Sequence, residues 1–142
     1  MTTPNPAMPP LYAHTPPPGS TDWYPLADHL QTVAAAAAAF ASAFDAGDLG
    51  TALGWWHDLG KADPDFQRYL QVCHADPSRR HRGPDHKAVG TAIAAEHLPA
   101  LALLIAGHHG GLQDPTTVGA WLADRRQDRR PDGSPRLATL LA

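Results

Sequence analysis

A chain of 142 residues fits one domain, long enough to bury roughly two-thirds of the surface its unfolded form exposes. With 43% hydrophobic and 18% charged residues it reads as globular, and a formal net charge of -3 excludes a uniformly basic nucleic-acid-binding surface. One cysteine, Cys73, excludes an internal disulfide and suits a reducing cytoplasm. The start, Met1 to Pro10, lacks the charged region and apolar core of a signal peptide, and no apolar run approaches the ~20 residues of a membrane span. The compositional anomaly is nine histidines, which points toward metal.

Residues 1–22 carry seven of the fifteen prolines. Proline fixes φ and lacks a backbone donor, so this stretch is expected to be an extended or disordered leader before a domain over 23–142. From Leu26 to Ala46 the pattern turns helical and alanine-rich, and small side chains there allow neighbouring helices to approach closely. Gly47 and Gly50 are expected to break it. A shorter helix follows from about Thr51 to Leu59, with Gly60 as its C-terminal stop. Asp63-Pro64 reads as an N-cap with proline at the first helical position, and Phe66, Tyr69, Leu70 and Cys73 give the next helix one apolar face. Ala75 to Gly83 is polar and irregular. Pro84, Pro99 and Pro115 each open a further helix, the middle one ending near Gly107, and Gly110-Gly111 form a turn. No convincing alternating strand pattern is present, so the fold class is all-α.

The chemistry centres on Trp56-His57-Asp58-Leu59-Gly60-Lys61. Imidazole and carboxylate are ligands for hydrolytic divalent metals, and single histidines echo this pair at His29, His86, His108 and His109. On a helix the side chains of His57 and Asp58 diverge by about 100°. The pair can serve one metal while the second oxygen of Asp58 reaches another, as carboxylates bridging two ions ~3.5–4 Å apart do. Lys61 falls on the same face if the helical turn continues. It either stabilises charge on a phosphoryl oxygen or makes a surface ion pair with Asp58. His108-His109 follow the apolar segment Leu101–Ala106, where one solvated histidine at a helix end is easier to explain than two. His86 and His29, taken singly, fit ordinary polar turns. His14, His74, His81 and His97 lie in polar or irregular settings and are assigned no ligand role. Five arginines at 125–136 face three aspartates at 124, 128 and 132, a net of +2, and suit either a DNA backbone or a solvated helix face.

Four runs carry a resemblance: "WYPLADHLQTVA", "WHDLGKADPDFQRYL", "GPDHKAVG" and "IAGHHGGL". Together, over roughly Tyr12 to Leu112, they resemble the HD nuclease domain of the type I CRISPR nuclease-helicase, a branch of the HD superfamily of metal-dependent phosphohydrolases. The resemblance implies an all-α, HD-domain helical bundle. It implies a DNA endonuclease or exonuclease preferring single-stranded DNA, with two divalent metal ions. His29, His57 and Asp58 look like ligands of the first metal, and Asp58, His86, His108 and His109 like those of the second. Asp58 and Lys61 are the candidate catalytic residues. His and Asp ligands suit Mn, Fe, Co or Ni better than Mg. The implied partners are a CRISPR helicase and an RNA-guided surveillance complex in the cytoplasm, with no membrane. The family pattern also has a later aspartate beyond the double histidine. Asp114, Asp124, Asp128 and Asp132 do not match it, so the domain is expected to be short at its C-terminus. Two alternatives share the His-Asp chemistry: a phosphohydrolase of small nucleotides, and a catalytically weak HD module that binds or regulates.

Overall fold

Alanine and glycine hold neighbouring backbones apart least, and the first packing contact of the fold is built from them. In the structure, a computed structural model that describes residues 9–79 and 83–142, helix α1 (Leu26–Ala41) passes through a 3-10 turn at Ser42–Phe44 and returns as α2 (Gly47–Trp56). Leu26, Leu30 and Ala34 form the buried stripe of α1 at helical spacing. A Cβ on Gly54 would fall 2.2 Å from the Ala34 Cα, and one on Gly50 2.4 Å from the Ala37 carbonyl oxygen. The expected break at Gly47 and Gly50 is therefore displaced. Gly47 opens the second helix, and Gly50 lies inside it where the missing side chain lets α1 touch. The roughly 0.5–1 kcal/mol that a glycine costs a helix is offset by this contact.

Helix α2 stops at Trp56, short of the expected Leu59. His57 and Asp58 stand at its edge, and Asp58 has left helical geometry, with φ -118° and ψ 13°. A 3-10 turn, Leu59–Ala62, follows. Gly60 is thus no helix stop. A Cβ there would lie 2.3 Å from the His86 carbonyl oxygen, so glycine lets the segment carrying His86 close onto this turn.

Helix α3 (Pro64–Ala75) starts as its sequence dictates, with the Asp63 carboxylate accepting from the Asp65 N–H at 2.9 Å. Helix α4 (Ala88–His97) starts later than Pro84 because the Asp85 side chain takes the Lys87 and Ala88 amides, leaving His86 just ahead of the helix. Helices α5 (Pro99–Gly107) and α6 (Pro115–Gln127) begin at their prolines. A short α7 (Arg136–Leu141), not expected from the sequence, buries Leu137 against Ala88, Val89, Ala92 and Leu122. A second cluster joins Ala94, Leu101, Ala102 and Ile105, and a third joins Ala13, Leu26 and Leu30.

The described residues hold seven α-helices and one pair of short strands, an all-α helical bundle. The strands were not expected: β1 (Tyr12–His14) pairs antiparallel with β2 (Tyr24–Pro25), which leads directly into α1. Ala13 is 1% exposed, so this part of the proline-rich leader lies packed on α1. The rest of the leader, residues 1–8, and His81 lie outside the described residues.

The arginine-rich stretch follows neither sequence expectation as a whole. Arg125 pairs with Asp124 and Asp128, as a solvated helix face would. Arg130 and Arg136 instead reach back to Asp63, at 3.3 and 2.7 Å, and Arg136 also meets Asp65 at 2.6 Å. Asp63 is 1% exposed, so these arginines fasten the end of the chain to the start of α3. Removing one partner of a buried charge leaves the other undercompensated. Arg136→Ala is expected to lower unfolding free energy by about 2–4 kcal/mol, with much of the loss recovered in Asp63→Asn/Arg136→Ala. Chemical denaturation checks this, and a single variant as stable as the parent contradicts the latch.

Candidate metal centre

Five separate segments deliver side chains to one spot. His29 comes from the first turn of α1, His57 and Asp58 from the end of α2, and Lys61 from the 3-10 turn. His86 precedes α4, and His108-His109 follow α5. There the N–H groups of Gly110 and Gly111 bond back to the Gly107 carbonyl, and Gly111 at φ 82° closes the turn in the region that favours glycine. Every residue nominated from the sequence reaches this cluster.

Asp58 is its centre and is 2% exposed. Its Oδ2 lies 2.9 Å from His29 Nε2, 3.1 Å from His57 Nε2 and 2.8 Å from Lys61 Nζ. Its Oδ1 lies 3.5 Å from both His86 Nε2 and His108 Nε2. The cluster divides into two overlapping groups, His29–His57–Asp58 and Asp58–His86–His108–His109, within each of which the ligating atoms lie within 4.8 Å of one another. The Asp58–Lys61 pair is no surface ion pair, since the two side chains are 3% and 11% exposed.

Backbone carbonyls fix two of the rings. His57 Nδ1 lies 2.7 Å from the Gly54 carbonyl oxygen and His108 Nδ1 2.7 Å from that of Ile105. A carbonyl only accepts, so both Nδ1 atoms donate, and it is the Nε2 of each ring that faces Asp58. Outer hydrogen bonds of this kind orient metal-ligating histidines.

Burial alone would raise the Asp58 carboxyl, but His108, His57 and Lys61 outweigh it and hold the group far below the usual carboxylate range. Burial pushes His86 down to about 4, against the pull of Asp58. It also lowers His29, and His109 with help from His108. Burial would lower His57 too, yet the Asp58 carboxylate and the Gly54 carbonyl raise it. At neutral pH an ionised carboxylate is therefore ringed by imidazoles, three of them held neutral.

Asp58 Oδ1, His86 Nε2 and His108 Nε2 are buried and have no hydrogen-bond partner among the described residues. They face one another at distances too long for hydrogen bonds, and each unpaired buried polar atom costs about 1–3 kcal/mol. A divalent cation accepts lone pairs from all three at once. On the other side, His57 Nε2 and Asp58 Oδ2 are two electron-pair donors about 3 Å apart, the spacing of neighbouring ligands ~2.1 Å from a common ion. The residues fit a metal. Of the later aspartates, Asp114 caps α6, Asp124 and Asp128 pair with arginine, and Asp132 holds the Ser134 turn. None joins either group.

A cleft of about 830 Å³ opens on the His86–His109 side, lined also by His14, Lys61, Phe66, Tyr69, Lys87, Trp121 and Arg125. Lys87 Nζ donates to the Ala106 carbonyl at 2.9 Å and lies 5.5 Å from the Trp121 ring centroid. Sequence reasoning missed Lys87, Trp121 and His14 as cleft residues. They come from distant elements with no shared spacing, and adjacency to His86 was the one signal for Lys87.

Residues 13–132 match the family described as Cas3, HD domain. The chain belongs to the Cas3 HD domain family. The matched span includes all the clustered histidines and Asp58. Membership makes this HD domain a metal-dependent hydrolase of the nuclease or phosphohydrolase type within a CRISPR system. No curated protein matches the chain. No helix among the described residues is long and apolar enough to cross a membrane.

In metal-free protein His86 stays neutral in the fold down to about pH 4, whereas the unfolded chain takes up that proton from about 6.5. The unfolded state then binds more protons across this window, so stability falls as pH drops from about 6.5 to about 4. One such group contributes at most about 1.4 kcal/mol per pH unit. His86→Gln is expected to flatten the decline, measured as denaturation midpoints in chelator at pH 7, 6 and 5. An equally steep fall in the variant contradicts a neutral buried His86.

Proposed function

We propose that this HD domain is a DNA nuclease that hydrolyses phosphodiester bonds of single strands with two divalent ions sharing Asp58. The observation that carries the reading is the unpartnered set of Asp58 Oδ1, His86 Nε2 and His108 Nε2, beside a second group that uses the other oxygen of the same carboxylate. His29, His57 and Asp58 would hold one ion, and Asp58, His86, His108 and His109 the other. Bound divalent ions supply Lewis-acid polarisation of the phosphate and activation of water, and with nitrogen-rich ligands Mn, Fe, Co or Ni suit the site better than Mg.

The chain's own residues do the rest. Asp58 stays ionised and keeps both oxygens in place. Lys61, fixed 2.8 Å from Asp58 Oδ2, offers positive charge beside a phosphoryl oxygen. The cleft combines cations (Lys61, Lys87, Arg125) with aromatic faces (Phe66, Tyr69, Trp121). Phosphates and unstacked bases of a single strand call for that mixture, whereas duplex bases keep their faces covered. A Cas3-type helicase and an RNA-guided surveillance complex in the cytoplasm would deliver such a strand. A second reading, a binding or regulatory module with weak catalysis, draws on the three-membered His29 group, which lacks a late aspartate.

The test is cleavage of circular single-stranded DNA with Mg, Mn, Co and Ni in turn, beside nucleotides and cyclic nucleotides. The expected result is cleavage of the circle that needs a transition metal. Asp58→Ala should slow it at least about a thousandfold and Lys61→Ala about a hundredfold. Folded protein that cuts no DNA with any metal favours the regulatory module, and turnover of nucleotides alone favours the small-molecule hydrolase.

A further inference from the structure

Gln67 belongs to neither histidine group, yet its carboxamide joins the segments that carry one of them. Its Oε1 accepts from the Tyr12 N–H at 3.0 Å, and its Nε2 donates to the carbonyl oxygens of Tyr12 at 2.9 Å and Lys61 at 2.7 Å. Two carbonyl acceptors and one N–H donor admit a single orientation of the amide, with Oε1 toward the Tyr12 N–H and Nε2 toward the two carbonyls. Gln67 sits on α3, where its own N–H bonds the Asp63 carbonyl at 3.0 Å.

Each tie leads to the His29–His57–Asp58 group. Tyr12 lies in β1, which pairs with β2, and the neighbouring Leu11 carbonyl accepts from the Leu26 N–H at 2.8 Å, at the start of the helix turn that carries His29. The Lys61 N–H donates to the Asp58 carbonyl at 2.9 Å, and Lys61 Nζ meets Asp58 Oδ2. Holding the Lys61 carbonyl therefore holds the turn that presents Asp58. Among the described residues, no hydrogen bond of Gln67 reaches the segments bearing His86 or His108-His109.

We propose that Gln67 is a positioning residue: without touching a ligand, its carboxamide sets the distance between His29 and the Asp58–Lys61 turn and so bears more on the metal position that needs His29 than on the other. This rests on the two-ion reading above. A merely structural glutamine would weaken both positions together or neither.

The test is Mn²⁺ titration of the full chain, parent against Gln67→Glu and Gln67→Met, two side chains of the same length. Glutamate keeps an acceptor for the Tyr12 N–H but loses both donations, and methionine loses all three bonds. His29→Ala and His86→Ala identify the two binding steps. The expected result is two ions in the parent, with the His29-dependent step weakened about tenfold or more in both Gln67 variants. The His86-dependent step should stay within about threefold. Equal weakening of both steps, no weakening, or loss of the folded state in both variants overturns the role of Gln67 while leaving the metal centre standing. A parent that takes up no Mn²⁺ overturns the two-ion reading itself, and this inference with it.

Discussion

The structure depends on an anion that water does not reach. Asp58 is 2% exposed, and an ionised carboxylate in such a place needs strong compensation. Lysine 61 and His57 supply part of it through Oδ2, with His29 beside them. Oδ1 faces two imidazole nitrogens that, in their neutral form, offer lone pairs rather than protons. That side is short of positive charge, and the backbone has been shaped to keep it so. Gly60 lets the His86 segment press against the 3-10 turn, and the carbonyls of Gly54 and Ile105 hold His57 and His108 in place.

Asp63, five residues on, shows the contrast. It is equally buried, but Arg130 and Arg136 meet it, and arginine stays charged at any pH the fold survives. Such a carboxylate is fully provided for and serves to fix α3 and the end of the chain. Asp58 has Lys61 at one oxygen, but burial withholds protons from His29, His86 and His109 around it, His86 most strongly. One buried carboxylate is a fastening and the other the centre of the histidine cluster, and the short turn Leu59–Ala62 lies between them. Gln67 grips that turn from α3 through the Lys61 carbonyl.

Features set by local chemistry were legible in the sequence. The starts of α3, α5 and α6 were readable because proline at the first helical position needs no partner elsewhere. The histidines and Asp58 were legible as a set because their residue types and the four runs around them carry the family likeness, and the match over residues 13–132 shows that family. What escaped depends on the partner segment. Gly50 and Gly60 read as breaks until the backbones opposite them are known. Arg130 and Arg136 read as part of a DNA-backbone contact or a solvated helix face because nothing local marks Asp63 as their target. The pairing of Tyr12–His14 with Tyr24–Pro25 is too short to produce an alternating pattern, and α7, six residues long, is held by Leu137 in a shared core rather than by its own propensity.

Sharing of Asp58 between two ions is the central claim, and anomalous diffraction from crystals of the full chain grown with Mn²⁺ tests it most directly. Two peaks are expected, one beside Oδ2 with His29 and His57 and one beside Oδ1 with His86 and His108, ~3.5–4 Å apart. A single peak, or two that do not both touch Asp58, would contradict it.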